Sequence, residues 1–293
     1  MSSLHPIAAM LYFVLVLGFT MLLAHPVCLA VSLISAIGYG VYLKGRRAVR
    51  FSLLYMLPML IIAAVLNPAF SHGGVTILAY LPSGNPLTLE SILYGISSAA
   101  MLITVISWFS CFDEVMTSDK LVYLFGRIIP ALSLILSMSL RFVPRFTAQI
   151  KVIAASQRCL GRDISHGSIV RRARYGVKIL SILITWALEN AIDTADSMKS
   201  RGYGLPGRTA FSIYRFTKRD RITLCFLLAS AAVLITGAAF GKLKFSYIPI
   251  TGGAPFDAPQ FGLFAAYSAL CACPLYLNVK EDAKWKVIAS ARQ

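Results

Sequence analysis

Six runs of apolar residues, each too long for the core of a soluble domain, limit what this chain can fold into: Ile7–Ala24, Pro26–Leu43, Phe51–Leu66, Ser91–Phe112, Ile222–Phe240 and Gln260–Leu277. A helix needs about 20 predominantly apolar residues to cross the hydrocarbon of a bilayer, and its backbone polar groups are then satisfied within the segment itself. Composition agrees, since 57% of the 293 residues are hydrophobic and 14% are charged, against about 25% charged in soluble domains. The expected fold is an all-α integral membrane protein of about six transmembrane helices, with a cytoplasmic module of amphipathic helices between the fourth and fifth spans.

Charge sets the expected orientation. Lys44-Gly-Arg-Arg-Ala-Val-Arg50 places four positive charges in seven residues between the second and third spans, and the positive-inside rule makes that loop cytoplasmic. The N-terminus is then cytoplasmic, as is the C-terminal tail with Lys280, Lys284, Lys286 and Arg292. His25-Pro26 leaves almost no loop between the first two spans, which predicts a tight antiparallel hairpin. The stretch from Asn67 to Glu90 has one formal charge and several Gly and Pro, as an external loop should. Met1 to Pro6 lacks a basic n-region and the run from Ile7 lacks a small-residue cleavage site, so it is read as the first span and not as a removable signal.

The net charge of +16 would suit nucleic acid or an anionic membrane surface, so its location decides. From Arg141 to Arg221 there are 16 basic and 5 acidic residues, +11 of the total. The chain accordingly divides into N-terminal membrane helices (1–112), a cytoplasmic or interfacial region (113–221), and C-terminal membrane helices with a tail (222–293). Within the middle region, Ile128–Leu140 and Ile179–Leu188 are too short for independent spans. Phe146, Ile150, Ile153 and Ala154 recur at helical spacing, and Leu188, Ala191, Ile192, Ala195 and Met198 form a second stripe with Glu189, Asn190, Asp193, Asp196 and Lys199 around it. The first helix runs through Arg158-Cys159-Leu160 into Gly161 and the second through Ser200-Arg201 into Gly202. Glycine just past a helix is the usual left-handed stop, and a basic side chain there favours the negative helix end by roughly 0.3–1 kcal/mol. Ordinary capping explains both ends; an arginine projecting from a cytoplasmic helix also suits a charge-assisted bond to a partner's carboxylate.

Other signals lead nowhere. Cys28, Cys111, Cys159, Cys225, Cys271 and Cys273 fall mostly inside apolar runs without metal spacing and read as buried small hydrophobes. Gly202-Tyr-Gly-Leu-Pro-Gly207 spells a dinucleotide fingerprint, but it follows an amphipathic helix instead of a strand and contains Pro206. Gly237–Lys242 comes nearest to a phosphate-binding loop, with its glycines too close and Leu243 where Ser or Thr is needed. No cofactor or metal site is expected: His5, His25, His72 and His166 fall in different loops or termini. Asp113, Glu114 and Asp119 read as a solvated helix start. Two alternatives remain for a chain of this kind. An intramembrane enzyme needs paired carboxylates or a His/Asp cluster at membrane depth, and a self-sufficient secondary transporter usually shows internal repeats and midplane breaks; neither signature is clear.

Four stretches resemble the transmembrane T components of energy-coupling factor transporters, the EcfT/CbiQ-like family. They are Asn67-Pro-Ala-Phe-Ser-His-Gly-Gly-Val-Thr76, Asn85-Pro-Leu-Thr-Leu-Glu90 with Tyr94-Gly95, Ser139-Leu-Arg-Phe-Val-Pro144, and Met198-Lys-Ser-Arg-Gly-Tyr-Gly204. The resemblance implies a non-catalytic coupling subunit of an ATP-driven importer for vitamins or transition-metal ions in a prokaryotic cell membrane. It implies as partners two ATP-binding-cassette (ABC) ATPase subunits and a substrate-binding membrane S component, with no nucleic acid. Family members carry two Ala-Arg-Gly signatures at the tips of cytoplasmic helices, which seat on the ATPase subunits. Ser200-Arg201-Gly202 matches the second, with Ser in the Ala place. Cys159-Leu160-Gly161 falls on the first and lacks its arginine, so that either Arg158 or Arg162 is left to supply the charge, each from a different angle on the helix.

Overall fold

A computed structural model of the chain describes residues 4–70, 73–80, 86–164, 168–205, 214–249, 251–253 and 257–290. The chain divides into two compact units, one of residues 1–117 with 214–293 and one of residues 118–213.

The larger unit is built on α1 (Pro6–Leu22), α2 (Pro26–Lys44), α3 (Arg46–Phe51), α4 (Leu57–Phe70), α5 (Leu89–Val115), α9 (Lys218–Ala239) and α10 (Ala258–Ser290). A π-helical turn over Ser52–Met56 joins α3 to α4, so that Arg46–Leu66 runs as one helical span. The central helix is α5, which packs on α1, α2 and α4, while α10 packs on α2 and α9. The turn between α1 and α2 is short, as His25-Pro26 predicts, yet α1 packs chiefly on α5 and α9. The two helices are neighbours near their connection and not a tightly packed hairpin along their length. Both begin with the same device: His5 and His25 each accept the N–H two residues on through Nδ1, at 3.3 Å, ahead of a proline at the first helical position.

Apolar packing alone would not distinguish helix from helix in lipid, and polar contacts supply the specificity. Trp108 of α5 donates to Ser32 Oγ of α2 at 3.0 Å. Thr20 of α1 lies 3.0 Å from that same hydroxyl and 3.1 Å from the Tyr267 hydroxyl of α10. Four helices thus meet in one buried polar knot, with Tyr12 and Phe13 set edge-on to Trp108. Gly237 allows α9 and α10 to touch, since a Cβ there would lie 2.5 Å from the Leu263 side chain. That contact explains a glycine which resembled part of a phosphate-binding loop.

Short strands close one end of the unit. β1 (Ile77–Tyr80) pairs antiparallel with β2 (Pro86–Thr88), and β3 (Phe245–Ser246) with β4 (Gly252–Gly253). The glycine-containing stretch ending at Thr76 and the stretch ending at Glu90 are locked together here. The Glu90 carboxylate accepts the Thr76 hydroxyl at 2.8 Å and the Thr76 N–H at 3.2 Å, and Thr88 donates to the Gly73 carbonyl at 3.0 Å. Gly74 is at φ +150° with Glu90 and Thr88 atoms where a Cβ would stand. His72, Ser83 and Asn85 lie outside the described residues, as do His166, Pro206, Gly207, Ala254 and Arg292.

The smaller unit contains α6 (Ser118–Ile128), α7 (Pro130–Cys159) and α8 (Ile169–Ser200). Ile128 ends α6, whereas Pro130–Leu140 and the amphipathic stretch after Arg145 form one helix that passes through Pro144, and Ile179–Leu188 is continuous with the stripe that follows it. Six helices among the described residues are long and apolar enough to cross a membrane: Pro26–Lys44, Arg46–Leu66, Leu89–Val115, Ile169–Ser200, Lys218–Ala239 and Ala258–Trp285. This set is not the one expected, because α1 is only 17 residues long and α8 gains its length from charged ends around an apolar middle. The cysteines divide likewise: Cys28, Cys111 and Cys271 are buried, whereas Cys159 and Cys225 are exposed.

Candidate functional site

The two helix ends singled out in the sequence belong to one antiparallel helix pair. Ile153 of α7 packs on Ile179 and Leu183 of α8, with Ala154, Ile182 and Trp186 around them. About two turns before Ile153, Arg145 donates to the Asn190 side chain at 2.8 Å and lies over the Trp186 ring at 5.3 Å. Contacts therefore climb one helix as they descend the other, and the two C-terminal ends leave the shared packing point in opposite directions. At 1.5 Å per residue, Leu160 lies roughly 10 Å beyond Ile153 and Arg201 roughly 27 Å beyond Leu183.

Each end closes with the same backbone bonds. In α7 the Arg162 N–H donates to the Gln157 carbonyl at 3.0 Å and the Gly161 N–H to the Arg158 carbonyl at 2.9 Å. In α8 the Tyr203 N–H donates to the Met198 carbonyl at 3.0 Å and the Gly202 N–H to the Lys199 carbonyl at 2.9 Å. This nested pair is the Schellman motif, which satisfies carbonyls that a helix end otherwise leaves bare. Gly161 and Gly202 have φ of +73° and +80°, and the residues before them match closely, Leu160 at φ −86°, ψ 13° and Arg201 at φ −84°, ψ 9°. Bond for bond, Cys159, Leu160 and Gly161 fall on Ser200, Arg201 and Gly202.

The side chains differ where the backbones do not. Arg201 is exposed, and among the described residues no carboxylate pairs with it. Its equivalent, Leu160, presents apolar surface that is 65% exposed. Both arginines that flank Leu160 are engaged inside their own tip. Arg158 Nε lies 3.5 Å from Asp163, and Arg162 donates to the buried Gln157 side chain at 3.3 Å. Asp163 and Gln157 are the residues that sequence reasoning missed, although their spacing of five from each arginine across a helix stop is the signal that points to them. Ser200 donates back to the Ser197 carbonyl at 2.9 Å, so its hydroxyl is turned toward the helix.

Outside the tips, the described residues contain no group of three His, Cys, Asp or Glu side chains able to hold a metal ion. Glu114 lies 4.0 Å from Lys44.

Comparison with known proteins bears on the chain's family. Residues 3–212 match the family model described as CbiQ, cobalt transport protein. The chain is 35% identical over 105 residues to the energy-coupling factor transporter transmembrane protein EcfT of Lactobacillus helveticus, which covers 36% of this chain and 38% of that protein. It is 28% identical over 214 residues to EcfT of Bacillus selenitireducens, covering 69% and 76% of the two chains. With EcfT 1 of Listeria monocytogenes it shares 26% over 204 residues, 67% and 74% of the two. The match thus spans under two fifths of the Lactobacillus protein and about three quarters of the other two.

Proposed function

This chain belongs to the CbiQ cobalt transport protein family, and from that premise we propose that it is the transmembrane coupling subunit of an ATP-driven importer of the energy-coupling factor type. In this reading it binds two ABC ATPase subunits through the two tips and holds a substrate-binding S component within the bilayer. Vitamins or transition-metal ions are the cargo, bound by the S component. The subunit itself is non-catalytic and lies in a prokaryotic cell membrane with both termini cytoplasmic.

One observation carries the reading: two tips with the same backbone leave one helix pair in opposite directions. A subunit that must engage two similar partners at once needs two equivalent docking points, rigidly related and well apart, and this arrangement supplies them. Closing of the ATPase subunits on nucleotide would move the tips, and α7 and α8 would carry that displacement to the membrane helices. Such transmission needs tip contacts that differ in strength between the open and closed ATPase states, since a contact equally strong in both shifts nothing. Arg201 supplies a charge-assisted contact and Leu160 an apolar one.

Affinity purification of the tagged full chain from its native membrane, followed by identification of what stays bound, tests the reading. Two ATP-binding-cassette subunits and a small membrane protein are expected, with no ATP turnover by the chain alone, because the sequence lacks a phosphate-binding loop. ATP hydrolysis or cargo uptake by the isolated chain would overturn it.

A further inference from the structure

At the end of the larger unit where α2 leaves the bundle, α2, α3, the π turn and α5 enclose a cavity of about 260 Å³. Its walls are mixed. Lys44 and Arg47, Ser52 and Ser110 line it, and Phe51 and Met56 are among its apolar residues. We propose that this cavity binds the phosphate of an anionic phospholipid, with the lysine and arginine on the phosphate and the apolar lining against the glycerol and upper acyl chain. This binding does not depend on the coupling role.

Three observations converge. Lys44 is drawn toward the cavity, donating to Ser110 at 2.9 Å with its side chain 28% exposed. Arg47 lines the cavity, and among the described residues neither it nor Arg46 nor Arg50 forms an ion pair. The opposing charge is weak: Glu114 reaches Lys44 only at 4.0 Å and is 53% exposed, so water screens that pair heavily. A basic loop at a membrane surface needs no cavity to satisfy the positive-inside rule. Here the cations border a largely apolar recess between helices that also holds serine hydroxyls, and basic pockets between membrane helices are how lipid headgroup sites are built. The wall also holds the start of a π turn, a departure from regular helix that often marks a functional site.

Soluble phosphate offers the same anionic chemistry, and the apolar lining favours the lipid. Native mass spectrometry of the full chain, released from nanodiscs of phosphatidylcholine with one fifth phosphatidylglycerol, distinguishes them. Wild type should retain phosphatidylglycerol over phosphatidylcholine. Arg47→Gln, which leaves Lys44, Ser110 and Glu114 in place, should weaken that retention about fivefold, as loss of one basic residue at an anionic surface does. Lys44→Ala with Arg47→Gln should abolish the preference, whereas Lys280→Ala with Lys284→Ala, an equal loss of charge on α10, should keep it. Equal retention of the two lipids by wild type, unchanged preference in Arg47→Gln, or an equal loss in the α10 variant would overturn the proposal. So would displacement of the lipid by millimolar glycerophosphate, which would assign the cavity to a soluble phosphate instead.

Discussion

Leu160 sits where Arg201 sits in the other tip, and it offers apolar surface in place of a fan of N–H donors. Of the neighbouring arginines, Arg158 lies against Asp163 and Arg162 donates to the Gln157 side chain. The Arg158 pair is exposed, at 68% for the arginine side chain, and pairs of this kind are worth about 0–1 kcal/mol. Arg158→Ala should therefore reduce binding of the ATPase subunits by no more than about 1 kcal/mol. Leu160→Arg places a guanidinium at the angle that Arg201 occupies, and it should tighten binding if the partner groove offers a carboxylate to both tips. A pull-down at low and high salt reads both variants; a loss from Arg158→Ala larger than that from Arg201→Ala would show that the first tip had moved its contact to Arg158.

Much of the element scale was legible in the sequence, because span length and apolar periodicity are local properties. The two glycine stops could be read for the same reason, since a left-handed helix end selects glycine within a few residues. Continuity of α7 through Pro144 could not be read, because proline removes one ladder bond and its cost depends on the surroundings. The Glu90–Thr76 lock was hidden too: two separate stretches were visible, but not that one holds the other. Gly237 makes the same point, as only α10 explains it. Gly237→Leu should destabilise the α9–α10 contact by about 1–3 kcal/mol, the usual cost of overpacking. Gly38→Leu, at a position with nothing within 4 Å of an added Cβ, should cost far less. Thermal unfolding of both in the same detergent checks this, and equal melting temperatures would remove the packing role of Gly237.

At the scale of the whole molecule, the larger unit is polar at both ends but basic at one. Lys44 and Glu114 meet at one end, where Arg219 also pairs with Glu281 at 3.4 Å and the His5 N–H reaches Asp220 at 3.1 Å. Toward the other end Tyr247 donates to the Ala24 carbonyl at 2.9 Å, and Lys242 pairs with Asp257 at 2.7 Å. If the basic end is cytoplasmic, a single cysteine at Ser246 in a cysteine-free background should react with an impermeant thiol reagent added outside intact cells, and one at Arg50 should not. The reverse pattern would invert the topology. The proposed coupling role is tested most directly at Arg201. Its loss as a mere helix cap is worth roughly 0.3–1 kcal/mol, whereas truncating one partner of a buried charge pair costs about 2–5 kcal/mol. Retention of the ATPase subunits by the tagged chain, compared between wild type and Arg201→Ala at matched expression, separates the two: the docking account predicts a loss of 30-fold or more, on the order of 2 kcal/mol, and binding equal to wild type would contradict it.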